Sequence, residues 1–210
     1  MVKRLTIKSD SLTKVLNQSL WKDVEIKEQQ INNHAVVDVH LTNDMLITAL
    51  TFGTRIHQKA NALKLIQTIQ GGVKEDIIGL EGALAVAAYL HKNWLVALDN
   101  LVIGKGDSGD ITYEEKVIDV KTRGKPENDL LMVPEKQWNK HKDKCDLYIG
   151  CNEIAEDWVR IWGYATKEEI ASAEVEDFGC GPTKIVPFVN LHPIKDLRDE
   201  LASSESEPQY

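Results

Sequence analysis

The stretch DITYEEKVIDVKTR, residues 110–123, decides the fold of this 210-residue chain. Its second half, KVIDVKT, is rich in β-branched residues and reads as a strand. Successive side chains in a strand point to opposite faces, so Asp119 and Lys121 share one face while Ile118 and Val120 share the other. The apolar pair anchors the strand to a core, and the opposite face presents a carboxylate beside an ammonium. Just upstream, KGDSGD (residues 105–110) reads as a glycine-rich turn. If the chain folds back there, Asp110 joins Asp119 and Lys121.

Working outward, WLVALDNLVI (94–103) reads as a strand before the turn, and DLLMV (129–133) as one after the motif. PEKQWNKHKDK (134–144) reads as a short polar helix opened by Pro134. DLYIGCNE (146–153) and WVRIWGYA (158–165) read as two more strands. In TKEEIASA, Thr166 and Glu169 form a capping box that opens a helix. Residues 182–189 read as an edge strand bounded by Pro182 and Pro187, and HPIKDLRDEL (192–201) as a last short helix.

Upstream, apolar spacing predicts a helix from Asp44 to about Gln70, closed by Gly71-Gly72, and a second from about Asp76 to His91. The second contains GLEGALAVAAYL, small or apolar nearly throughout, so it is expected to be buried on most sides, with Glu81 its one acid. Short strand patterns occur at LTIKS and AVVDVHL, and a helical one at SLTKVLNQSLW. The expected organisation is an α/β fold: an N-terminal, helical extension (1–72) packed on a core (73–200), with a disordered tail (201–210).

Composition narrows the functional classes. No apolar run is long enough to span a bilayer, and MVKRLTIKSD lacks the apolar stretch of a secretory signal. Cys145, Cys151 and Cys180 form no CxxC pair, which points to a reducing, cytoplasmic setting and to buried or half-buried free thiols. His141 with these cysteines matches no common zinc spacing. The net charge of −8 disfavours non-specific wrapping of nucleic acid, although metal-holding acids add to that count and a local basic patch can still dock a backbone.

Two carboxylates and a lysine suit hydrolysis of a phosphodiester. Mg2+ takes hard oxygen ligands, typically one or two carboxylates plus water and substrate phosphate, and Mn2+ is expected to substitute. A lysine nearby can orient the attacking water or stabilise charge on the phosphate, and a helix acid such as Glu81 could hold a metal water or a second ion. Gly104, Gly106 and Gly109 spell GxGxxG, but a dinucleotide site would need a helix to begin there, whereas the chain continues as β structure. Asp107 and Asp110 would also repel the phosphates. The bland alternative is an exposed Asp119–Lys121 ion pair of little energetic consequence.

The pattern Asp110-x8-Asp119-x-Lys121, with its glutamate-bearing helix upstream and its helix and strands downstream, resembles the PD-(D/E)xK nuclease superfamily over about residues 75–172. The resemblance implies a restriction-endonuclease-like core: a central mixed β-sheet flanked by helices. It implies a Mg2+-dependent nuclease acting on DNA, with Asp110 and Asp119 as metal ligands, the Val120 carbonyl as a further ligand, Lys121 as the catalytic lysine and Glu81 as the helix acid. The family's proline before the first acid is replaced by Gly109, which leaves Asp107 as a rival for the Asp110 role. Candidate contacts to nucleic acid are Arg123, Lys125, Lys136, Gln137 and Lys140, with Lys142 and Lys144 on the same lysine-rich segment; a solvated helix face is the alternative there. The five tryptophans are expected in the core or at its rim, Trp138 being the one to watch as a stacking platform. Two rival functions remain: an inert nucleic-acid-binding protein on the same fold, and a nucleotide-binding enzyme using the glycine-rich turn. Association with a second copy of the chain is left open.

Overall fold

The computed structural model describes residues 24–63, 72–91, 93–98, 110–124 and 129–204. Two strands open it: β1 (Ile26–Ile31) and β2 (His34–His40). They pair antiparallel around Asn32 and Asn33, whose φ angles of 51° and 64° give the left-handed turn that matches strand twist. Helices α1 (Asn43–Leu63) and α2 (Val73–His91) follow, then the hairpin β3 (Ile111–Tyr113) and β4 (Lys116–Arg123). Next come β5 (Leu130–Pro134), α3 (Glu135–His141), β6 (Leu147–Ala155), β7 (Trp158–Thr166) and α4 (Lys167–Ser172). Strands β8 (Glu174–Asp177) and β9 (Pro182–Pro187), a 3-10 turn (Phe188–Asn190) and α5 (Ile194–Ser204) complete the described chain.

Six strands form one mixed sheet in the order β1-β2-β7-β6-β4-β3. Its neighbours are antiparallel except β4 and β6, which run parallel. A parallel neighbour needs a long crossover, and the chain from β4 to β6 supplies one that passes through β5 and α3. Strands β5, β9 and β8 make a second, three-stranded sheet. The molecule is thus α/β, with a mixed six-stranded sheet flanked by helices.

Two apolar clusters sit on the two faces of the large sheet. On one face Val37, Val39, Ile118, Val120, Ile149 and Ile161 pack with α1, α2 and α5 through Met45, Ala49, Leu84, Ala88, Ile194 and Leu197. Every residue of α2 from Leu80 to Leu90 is buried, as its all-round apolar make-up requires. On the other face Tyr148, Ala165, Trp138, Cys145, Ile170, Phe188 and Leu191 pack with Leu131 and Val133 of the small sheet. The capping box of α4 is present as expected: Thr166 accepts from Glu169 N–H, and the Glu169 carboxylate accepts from Thr166 N–H.

Several expectations change. The segment preceding α1 is not a helical extension in its described part but a β-hairpin whose second strand pairs with β7, so it belongs to the same sheet as the core. IKEQQI carries apolar residues only at its ends, which is why it shows little strand pattern. Residues 94–98 of the expected strand WLVALDNLVI form a turn and a short helical segment, because the Asn93 side chain accepts from Leu95 N–H and i→i+3 bonds follow. The remainder of that segment lies outside the described residues, as do LTIKS, SLTKVLNQSLW and the end of the first helix beyond Leu63. The proline-bounded strand β9 is central in its small sheet rather than an edge, since β8 pairs along its outer side. Residues 201–204, assigned to the tail, continue α5. All three cysteines are free, Cys145 and Cys151 buried and Cys180 exposed. Among the described residues no helix is long and apolar enough to cross a membrane.

Candidate functional site

The β3–β4 hairpin builds the site. Its turn falls on Glu114 and Glu115, with φ of 47° and 65°. The register pairs Ile111 with Ile118, and Asp110 is the next residue beyond that last pair. Asp110 N–H donates to the Ile118 carbonyl at 2.8 Å, and Asp110 Oδ2 accepts from Val120 N–H at 2.8 Å. The turn therefore does what the glycine-rich segment was expected to do, and it lies downstream of Asp110 rather than upstream.

Ile118 and Val120 enter the first cluster, beneath α2. Asp119 and Lys121 project from the other face, toward Tyr148 and Cys145. Asp119 is only 7% exposed, and Lys121 Nζ lies 2.5 Å from its Oδ1. The two aspartates are also within hydrogen-bonding reach of each other. Burial, then the Asp119 charge, raise the Asp110 carboxyl above its ordinary range, while Lys121 and Val120 N–H act in the opposite direction. The same surroundings act on their neighbours: burial and then Asp119 push the Cys145 thiol up to about 12, and burial, Cys145 and Asp119 raise the Tyr148 phenol. Two acids held this close keep a proton between them or accept a cation.

Glu81 is not brought to this group. Its helix lies on the other face of the sheet, where a Cβ on neighbouring Gly82 would meet Thr122 Oγ1 at 1.8 Å; only glycine permits that approach. Glu81 is 7% exposed and shares its surroundings with Glu153 and Lys74. Burial first, and Glu153 second, raise its carboxyl to about 7, with Lys74 lowering it. An acid whose folded-state pKa is raised costs no stability below its ordinary pKa and destabilises as pH rises toward the folded value. Glu81→Gln mimics the protonated form. It is expected to leave stability unchanged below about pH 4.5 and to raise it by about 3 kcal/mol above pH 7, as read from denaturant melts across that range. Equal stabilities of the two proteins at pH 8 would contradict this assignment.

Arg123 ends β4 on the same face as Asp119 and Lys121 and is half-buried, with Asn152 its neighbour on β6. Lys136, Gln137 and Lys140 are exposed on α3, as are Lys142 and Lys144 just beyond it. Trp138 points inward instead, 8% exposed and 5.8 Å from the Tyr148 ring, so it is a core residue and not an open stacking surface. Trp158 has Lys27 at 4.1 Å and His40 at 4.9 Å from its ring, and Trp162 is stacked with both Phe188 and His34. Lys125, Asp107, Trp21 and the Gly104–Gly109 turn lie outside the described residues.

Among the described residues no group of three or more His, Cys, Asp or Glu is arranged to hold a metal ion. The donor set at hand is two carboxylates, Asp110 and Asp119, which fits a hard divalent cation that completes its shell with water and substrate oxygens. No local pattern points to Tyr148 beside Asp119, because that neighbour is set by the parallel register of two strands separated by a crossover. Comparison with family models, with curated proteins and with solved structures yields no match for this chain.

Proposed function

We propose that this chain is a Mg2+-dependent nuclease that hydrolyses DNA phosphodiester bonds, built on a restriction-endonuclease-like core. One observation carries the reading: the hairpin brings the Asp110 and Asp119 side chains together, with the Lys121 amine on the Asp119 carboxylate. The order of elements adds support, with α2 before the hairpin and α3 leading to a strand parallel to β4.

In this reading Asp110 and Asp119 hold the cation, with the Val120 carbonyl a further oxygen at the same place on β4. Bound there, Mg2+ would polarise the phosphoryl oxygens and acidify an attacking water. Lys121 orients that water and offsets negative charge gathering on the phosphate. Arg123, on the same strand face, docks an adjoining phosphate, and the exposed Lys136, Gln137 and Lys140 extend that contact. The water oxygen bonds to phosphorus in line as the bond to the 3′ oxygen breaks, and the attacking water releases a proton to solvent. The products are a 5′ phosphate and a 3′ hydroxyl, which takes up a proton from solvent.

The test uses the full chain with linear, circular and branched DNA, with and without Mg2+ or Mn2+. Cleavage that needs the metal and is removed by Asp119→Asn is the expected result. Intact DNA in all three forms with either metal would overturn the reading. Mg2+ at about 100 times its dissociation constant is expected to stabilise the folded chain by about 2.7 kcal/mol, an effect reversed by chelation. Asp110→Asn removes one of the two acids and is expected to abolish most of that metal response. It should also stabilise the metal-free chain at neutral pH, since the carboxyl it replaces has a raised pKa. Thermal melts with and without metal check both.

A further inference from the structure

Strand β6 lies beside β4 in parallel, and the register sets Tyr148 directly across from Asp119. Tyr148 is fully buried among Trp138, Cys145, Ile170 and Phe188. These neighbours are apolar or nearly so, and a phenylalanine would fill the same shape. Yet the Tyr148 hydroxyl is buried with no hydrogen-bond partner among the described residues. Leaving such a group unpaired costs about 1–3 kcal/mol, and a buried polar atom in that condition calls for a partner that the polypeptide does not supply. By register the residue across from Tyr148 on β4 is Asp119, and its charge acts on the Tyr148 phenol. One Asp119 oxygen takes Lys121 Nζ, and a carboxylate has capacity for several more hydrogen bonds.

We propose that Tyr148 is a positioning residue for Asp119: its hydroxyl donates to a water that bridges to the Asp119 carboxylate and so fixes that carboxylate in the orientation that holds a divalent cation. This rests on Asp110 and Asp119 being the cation site. Groups that orient a metal-binding carboxylate are typically worth 10–100-fold in metal affinity. A tyrosine buried only for packing would have no such effect, and the two roles predict opposite results for one isosteric change.

The experiment compares the full wild-type chain with Tyr148→Phe by thermal shift against Mg2+ and, separately, Mn2+, with no DNA present. The metal-free variant is expected to stay folded and to melt close to wild type, because phenylalanine fills the same shape. The metal concentration giving half of the full shift is expected to rise about 10-fold. A parallel measurement on wild type needs no variant to fold: the 13Cζ resonance of Tyr148, which reports hydrogen bonding of the phenol, should move as Mg2+ is added. An unchanged half-shift concentration, or a stationary resonance in a protein that does respond to Mg2+, overturns the role of Tyr148 and leaves the nuclease reading standing. A wild-type chain that neither shifts with either metal nor cleaves DNA overturns both.

Discussion

Lys121→Ala is expected to slow cleavage of DNA by about 10²–10³-fold at saturating metal, the loss usual when one preorganised donor is removed from a site where charge develops. Lys121 shares a strand face with Asp119, its amine is 2.5 Å from Oδ1, and its side chain is only 16% exposed. An ammonium shielded from water acts on nearby charge far more strongly than a solvated one. Its removal withdraws a donor from the phosphate while leaving both carboxylates in place, so metal binding should persist, and can even strengthen. The decisive measurement is a single-turnover cleavage rate at several Mg2+ concentrations beside a metal thermal shift. A rate deficit that disappears at high Mg2+ would assign Lys121 to metal affinity alone, and an undiminished rate would remove it from the mechanism. Lys121→Arg is not expected to restore the rate, because a planar guanidinium cannot reproduce a compact point charge in a half-buried position.

The largest effect on stability is expected at Gly163. Its φ of +152° is a conformation that side chains rarely adopt, and a Cβ there would stand 2.2 Å from the His192 carbonyl oxygen. That oxygen belongs to backbone fixed on both sides: Tyr164 N–H donates to the His192 carbonyl, and His192 N–H to the Tyr164 carbonyl, each at 2.9 Å. Neither partner can rotate away, so Gly163→Ala combines backbone strain with overpacking. We expect a loss of about 3–5 kcal/mol, comparable with a large part of the stability of an ordinary domain. For a chain of this length that lowers the melting temperature by about 10 °C or more. Gly179→Ala is the control. Gly179 also has a positive φ, +84°, but nothing lies within 4 Å of a Cβ there, so it should cost only about 1 kcal/mol. Equal melting temperatures for the two variants would show that the Tyr164–His192 bridge gives way easily.

The strand carrying Asp119 and Lys121 was legible because alternation is a local property, and residues 118–121 obey it without exception. So were the largely apolar α2 and the Thr166 capping box. What was hidden depends on pairing. The turn at Glu114-Glu115 carries none of the glycine or asparagine that usually announces a left-handed hairpin, and so the fold-back was placed one segment too early. Asn32-Asn33 did carry that signal, but the polar strand before it did not stand out. Glu81 lies apart from Asp110 and Asp119 because an acid on the preceding helix is on the side of the sheet that Ile118 and Val120 face, and periodicity cannot tell which surface a helix will cover. Arg123 could be placed on the right face from alternation alone, whereas Tyr148 needed the β4–β6 register.

The path of the last described residues bears on how the whole molecule comes apart. Phe188 and Leu191 are embedded in the layer that holds Tyr148, and Ile194 and Leu197 in the layer beneath α2, with the Tyr164–His192 bridge between them. Ten residues thus stitch the two layers together at the margin of β7. Neither layer can melt while the other keeps its packing, because the stitch would have to be withdrawn from both. Heating should therefore give a single transition seen alike by Trp138 fluorescence on one side and by helix loss on the other. Clipping the chain ahead of Phe188 should split that transition in two.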